Sequence, residues 1–193
     1  MVAMVKRIYI IGLGLIGGSI ALSIKQNDPS IDILGFDINY DQAAMAKKIG
    51  AIDEVSETLF PSLENIDVIF ISTPVEQTLK ILSQLNEVRL KKGVIVTDVG
   101  STKGKIVEYA ETHLNNSIVF IGGHPMAGSH KSGILAAKSH LFENAFYILT
   151  ASKRATSEDV NTVIALLKGT KANFIEMTPI EHDQITGVIS HFP

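Results

Sequence analysis

Gly12-Leu13-Gly14-Leu15-Ile16-Gly17 has the spacing G-x-G-x-x-G. Such a run carries meaning only where it ends a strand and opens a helix. Here the branched run Arg7–Ile11 precedes it, and the small, apolar segment Leu15–Lys25 follows. In that setting the first glycine permits a tight turn, the second lets backbone approach a pyrophosphate, and the third lets helix and strand pack closely. The free N–H groups of the first helical turn, at Leu15, Ile16 and Gly17, face the phosphates together with the positive end of the helix dipole. Asp37 stands twenty residues beyond Gly17, at the end of the next β-rich run. A carboxylate there accepts hydrogen bonds from adenosine ribose hydroxyls and repels a 2′-phosphate. Ile38 and Asn39 follow, so no adjacent arginine is available to receive such a phosphate. The expected cofactor is therefore NAD rather than NADP. If the glycines only shaped a turn and Asp37 only capped the next helix, strand, helix and acid would fall in register without cause.

A cofactor site does not name a reaction. In a parallel sheet, ligands gather outside the carboxyl ends of the strands. Ser72-Thr73-Pro74, Asp98-Val99-Gly100-Ser101 and Gly122-Gly123-His124-Pro125 each follow a β-rich run at that edge. His124 is expected in a loop beside the nicotinamide, where an imidazole takes a proton from an alcohol as hydride leaves the same carbon. Ser101 is placed to orient that hydroxyl or the imidazole. Lys103 reads more readily as a helix-start residue. His130 and Lys131 suit an anionic substrate and a solvated surface equally. His113 and His140 lie near helix ends, where solvent-facing or capping roles are expected. No metal is expected.

The elements that must position these groups alternate along the chain. Arg7–Ile11, Asp32–Asp37, Asp67–Ser72, Val94–Asp98, Val119–Gly122, Phe146–Thr150 and Asn173–Met177 are short, branched runs bounded by turn residues, and read as buried strands. Between them, Leu15–Lys25, Asp41–Ile49, Val75–Val88, Lys103–Leu114 and Thr156–Lys168 read as helices. Gly50 and Gly169 stop two of them, and Thr156-x-x-Asp159 is a capping-box variant. The alternation predicts an α/β, Rossmann-type, doubly wound and mainly parallel sheet covered on both faces. Thr178-Pro179-Ile180-Glu181 starts a further helix, with Thr as N-cap and Pro in the first helical position. That helix runs to Pro193 and reads as the start of another domain. The expected organisation is an NAD-binding domain over residues 1–177 and the first helix of a truncated all-helical domain over 178–193.

Composition narrows the classes further. With 46% hydrophobic and 19% charged residues, the 193-residue chain buries a sizeable core and is neither disordered nor fibrous. A net charge of −3 provides no basic footprint for nucleic acid or a membrane surface. The absence of cysteine excludes a disulfide scaffold, a thiolate metal site and a cysteine nucleophile, and fits a reducing, cytoplasmic setting. Lys6-Arg7 before the apolar Ile8–Ile24, with Ala21-Leu22-Ser23, has the outline of a signal peptide. Gly12, Gly14, Gly17 and Gly18 interrupt that stretch in the pattern described above and argue against it. No stretch reads as a membrane span.

Taken together, the motifs resemble the prephenate dehydrogenase family over essentially all of the chain. The resemblance rests on Gly12–Gly17 with Gly18-Ser19, Ala51-Ile52-Asp53-Glu54 after Gly50, Ser72-Thr73-Pro74, and Asp98-Val99-Gly100-Ser101-Thr102-Lys103-Gly104. Its narrowest elements are Gly122-Gly123-His124-Pro125-Met126-Ala127-Gly128-Ser129 with Ser132-Gly133, and Ser190-His191-x-Pro193 after Glu181-His182-Asp183. It implies NAD-dependent oxidative decarboxylation of prephenate to 4-hydroxyphenylpyruvate, a step of tyrosine biosynthesis. It implies that His124 draws off the ring hydroxyl proton, that Ser101 holds that hydroxyl and the histidine, that His191 enters the substrate pocket, and that His182 helps near the domain junction. His130 stands where some relatives carry an acidic residue, which puts a gating role of that loop in doubt. The family continues into an all-helical domain that dimerises and supplies an arginine for the substrate carboxylate. The resemblance therefore implies a homodimer formed through that domain, an exposed apolar surface where it packs, and weak or no turnover from a chain ending at Pro193. Three other readings remain open. One is an arogenate dehydrogenase. Another is a hydroxy-acid dehydrogenase on the same sheet, which would more often use a lysine on a later helix. The third is a non-catalytic NAD-binding module, whose NAD affinity would not change on substituting His124.

Overall fold

The computed structural model describes residues 4–127 and 130–191, with side chains as far as Gly187. β1 (Arg7–Ile11) is followed by α1 (Leu15–Asn27), β2 (Asp32–Phe36) and α2 (Tyr40–Lys48). Next come β3 (Glu54–Val55), β4 (Val68–Ile71), α3 (Val75–Leu85), β5 (Val94–Asp98) and α4 (Gly104–His113). The chain continues through β6 (Ile118–Pro125), β7 (Phe146–Ala151), α5 (Ser157–Leu166), β8 (Asn173–Glu176) and α6 (Pro179–His191). Among the described residues the strands form one eight-stranded sheet in the order β3-β2-β1-β4-β5-β6-β7-β8. Every neighbouring pair is parallel except β6 and β7. This is the Rossmann-type, doubly wound, mainly parallel sheet that the alternation predicts. β1 and β4 pair directly although α1 to β3 intervene, so the sheet grows outward in both directions from them and a crevice opens at their carboxyl ends.

The strands read as continuous apolar runs because both faces are covered. On one face Ile8, Ile10, Val68 and Phe70 pack with Ile20, Ala21 and Ile24 of α1. On the other, Tyr9, Ile11, Ile69 and Ile71 pack with Ile81, Leu82 and Leu85 of α3 and with Ile106, Val107 and Ala110 of α4. Helix starts follow local chemistry. Thr156 accepts the Asp159 N–H (3.2 Å) while Asp159 accepts the Thr156 N–H (2.9 Å), closing the expected capping box on α5. The Thr178 hydroxyl accepts the Glu181 N–H (3.1 Å) at the start of α6. α2 is capped by Asn39, which accepts the Asp41 N–H at 3.1 Å, so Asp37 is not that cap.

Two elements depart from the sequence reading. β6 does not stop at Gly122 but runs through His124 to Pro125, so His124 sits within a strand and not in a loop. The antiparallel partner β7 extends it, pairing Gly122 with Thr150 and His124 with Ile148. The glycines allow this closeness: a Cβ on Gly122 would lie 2.2 Å from Thr150 Oγ1, and one on Gly123 would lie 2.6 Å from the Asp98 carbonyl oxygen. β3, absent from the sequence reading, is a two-residue edge strand paired with Leu34 and Gly35 of β2. No helix of the described residues is long and apolar enough to cross a membrane.

Candidate active site

The sheet's carboxyl edge carries two polar constellations. The first lies at the β1/β4 crevice, a groove of about 570 Å³ whose walls include Gly12, Gly14, Asp37, Ser72, Thr73 and Pro74. Its turn is built by close contact. Gly12 has φ +92°, and a Cβ there would lie 2.2 Å from the Ser72 carbonyl oxygen. A Cβ on Gly17 would lie 1.9 Å from the Gly12 carbonyl oxygen. A Cβ on Gly14 would meet no protein atom within 4 Å, so that glycine faces open groove. α1 begins at Gly14 with no side-chain cap and no acidic residue in its first turn. Its free N–H groups and positive dipole end are left to a ligand, and these features fit a dinucleotide pyrophosphate. Leu15 and Ile16 open that helix, half-buried, beside the groove and not on its wall. Asp37 accepts the Leu13 N–H (2.7 Å) and the Asn39 N–H (2.8 Å), which fixes its carboxylate against the glycine turn. Six of the residues that the sequence reading assigned to the cofactor line this one groove.

The second constellation surrounds β5, β6 and the start of α4. Asp98, at the end of β5, is fully buried and accepts from the Lys103 ammonium, from the Gly100 N–H (3.0 Å) and from the Gly123 N–H (3.0 Å). Lys103 is also fully buried. Burial pushes its pKa down, while Asp98 and Asp183 pull it back up. Gly122 makes room for the Lys103 stem, since a Cβ there would lie 3.1 Å from its Cδ. Beside this pair, His124 Nδ1 lies 2.7 Å from His182 Nε2, and His182 Nδ1 lies 2.8 Å from Asp183 Oδ1. Asp183 also accepts the Lys103 N–H (2.9 Å) and the Gly104 N–H (2.8 Å), so α6 is tied to the first turn of α4. Burial, with His182 and Lys103 nearby and only Asp183 opposing, pushes the His124 pKa down to about 4. Its imidazole is therefore neutral near neutral pH and able to accept a proton.

The other expected residues are placed as follows. Ser101 is exposed on the loop between β5 and α4, three residues past Asp98. His130 is exposed and takes no part in the hydrogen-bonded run around His124. The side chain of His191 lies outside the described residues, as do Gly128, Ser129 and Pro193. His113 stacks on Tyr109 in the last turn of α4, and His140 is exposed, both in keeping with the surface roles expected of them. The sequence reading named Asp98 and Asp183 only within longer motifs, gave neither a role of its own, and undervalued Lys103. The signal available was a charge ending an apolar strand, with an opposite charge five residues on at a helix start.

The comparisons with known proteins agree with this geometry. The family model described as "Prephenate dehydrogenase, nucleotide-binding domain" matches residues 20–176. The prephenate dehydrogenase of Bacillus subtilis (strain 168) is 51% identical over 190 residues, covering 98% of this chain and 51% of that protein. The chain thus spans about half the length of that curated relative. A crystal structure of prephenate dehydrogenase from A. aeolicus, in complex with hydroxyphenyl propionate and NAD+, superposes with a TM-score of 0.86 at 32% identity, over 98% of this chain and 65% of that one. The crystal structure of Synechocystis arogenate dehydrogenase gives a TM-score of 0.86 at 33% identity, over 96% and 64% of the two chains.

Proposed function

The chain belongs to the prephenate dehydrogenase family through its nucleotide-binding domain, and from that premise we propose that it binds NAD and carries the base of an oxidative decarboxylation of prephenate to 4-hydroxyphenylpyruvate. The observation that carries the proposal is His124, a half-buried imidazole held neutral on the carboxyl edge of the sheet, one strand beyond β5 from the groove at β1 and β4. Gly12, Gly14, Gly17 and the first-turn N–H groups of Leu15 and Ile16 hold the pyrophosphate, Asp37 the adenosine ribose, and Ser72-Thr73-Pro74 the opposite wall. When bound, NAD supplies the hydride acceptor. His124 takes the proton of the ring hydroxyl as hydride departs from the same carbon, and returns it to the phenolic oxygen once carbon dioxide has left and the ring is aromatic. Ser101, exposed on the neighbouring loop, orients that hydroxyl. His130 and His191 are assigned to the substrate's carboxylate side. The buried Asp98–Lys103 pair keeps β5, β6 and α4 in register beneath the site, so that catalysis here is largely positioning and polarisation.

Residues 1–177 form the NAD domain in this proposal, and 178–193 the first helix of an all-helical domain through which a cytoplasmic homodimer assembles. Ile180 and Ile185 of α6, 69% and 45% exposed, support a packing partner for that helix. Arogenate is the second substrate to test, because the Synechocystis structure above bears that name.

Calorimetry with NAD and NADP, followed by an NADH-absorbance assay with prephenate and arogenate side by side, tests the assignment. NAD binding that exceeds NADP binding, with NADH formation abolished in His124→Asn but affinity for NAD retained, is the expected result. NADH formation undiminished in His124→Asn would remove His124 from the chemistry. Failure of the folded chain to bind NAD would overturn the cofactor site.

A further inference from the structure

We infer that His182 and Asp183 are positioning residues that fix His124 as the tautomer protonated on Nδ1, leaving the lone pair of Nε2 to receive the substrate proton. The inference rests on the reading of His124 as the base, and its polarity is set from the far end of the hydrogen-bonded run. α4 has no side-chain cap from its own segment. The carboxylate of Asp183, some eighty residues later, fills that place by accepting the Lys103 and Gly104 N–H groups. Burial alone would raise the Asp183 pKa, but these N–H donors and His182 outweigh it and hold the carboxyl below its ordinary range. An ionised carboxylate only accepts, so His182 Nδ1, 2.8 Å away, is the donor. With that single proton on Nδ1, the His182 ring has only a lone pair at Nε2. The 2.7 Å contact with His124 Nδ1 consequently requires His124 to donate. Since His124 is itself neutral, its remaining nitrogen, Nε2, carries the lone pair.

A second proton on His182 would reverse the last contact. It would also place a full cation on a ring wholly out of water. One proton per ring satisfies both contacts without that cost. The arrangement makes the base conditional on α6: His124 has its proton-accepting nitrogen facing outward only while His182 and Asp183 are seated on α4.

The test reads the tautomer directly, by long-range proton–nitrogen correlation NMR on the chain labelled with 15N-histidine, with His124 assigned by its loss in His124→Asn. In the wild type, His124 is expected to show a protonated Nδ1 and an unprotonated Nε2 at neutral pH. His182→Gln, whose amide oxygen still accepts from Nδ1, is expected to keep that pattern. His182→Leu, which removes the acceptor, is expected to move the proton to Nε2. A wild-type His124 protonated on Nε2 overturns the inference, as does a folded His182→Leu variant that keeps Nδ1 protonated. Should His182→Leu not fold, the wild-type and His182→Gln spectra decide. No turnover is measured, so failure of the dehydrogenase assignment would leave these spectra unchanged, and failure of the tautomer would leave NADH formation to be judged on its own.

Discussion

At the residue scale, two charges and one ring meet where β5 and β6 end. If His124 is the base, His124→Asn should lower prephenate-dependent NADH formation by about 10²–10⁴-fold, the usual worth of a positioned general base. NAD affinity by calorimetry should not move, because His124 is absent from the groove wall. The buried pair beneath it makes a separate prediction about stability. Lys103→Met leaves the Asp98 carboxylate out of water with two N–H donors and no cation. Breaking a buried pair in this way costs about 3–5 kcal/mol, read as a lower midpoint in urea. Adding Asp98→Asn to that variant should recover only part of the loss. The charge is then gone, but a single amide oxygen cannot serve both the Gly100 and the Gly123 N–H groups.

Among the elements, the turn from β1 into α1 separates folding from binding. Gly12→Ala puts a Cβ against the Ser72 carbonyl oxygen at positive φ and should cost about 2–5 kcal/mol from strain and overpacking together. Gly14→Ala meets no protein atom, so its melting temperature should match the wild type while NAD affinity falls about tenfold or more by calorimetry. A Gly14→Ala chain that binds NAD normally would show that no pyrophosphate approaches that glycine. The same contrast explains what was legible in the sequence. The glycine turn, Asp37 and Ser72–Pro74 were readable because each depends on a strand and helix directly beside it in the chain. The strand character of Gly122–His124 was not, because it comes from pairing with β7, and two glycines in sequence look like a loop. Asp183 was silent for a like reason: its partners, the N–H groups of Lys103 and Gly104, lie eighty residues away. Lys103 reads as a residue opening a helix, since nothing local announces that its whole side chain is buried.

For the molecule as a whole, the groups that hold the sheet's two edges also set its response to acid. At the amino edge Asp67 accepts the Lys6 and Arg7 N–H groups (2.8 and 3.1 Å) and pairs with Lys91 (2.6 Å). Burial raises its pKa, but these partners outweigh that and hold it below 3.8. At the carboxyl edge Asp183 is held below 3.8 in the same manner, and His124 is held at about 4 against an ordinary 6.5. The signs follow from which state binds protons first. As pH falls from 6.5 towards 4, His124 is protonated in the unfolded chain before the folded one, so stability declines through that interval and this contribution then levels off. The two carboxylates contribute fully above 3.8, and their contribution is lost as pH falls through their lowered values. Melting temperature followed by circular dichroism against pH should therefore fall in two stages. His124→Gln, which does not titrate and keeps a donor towards His182, should flatten the upper stage and leave the lower one in place. Parallel curves for wild type and His124→Gln between pH 6.5 and 4 would mean that the folded protein does not hold His124 neutral there. The base assigned to this edge of the sheet would then lose its electrostatic ground even with the fold intact.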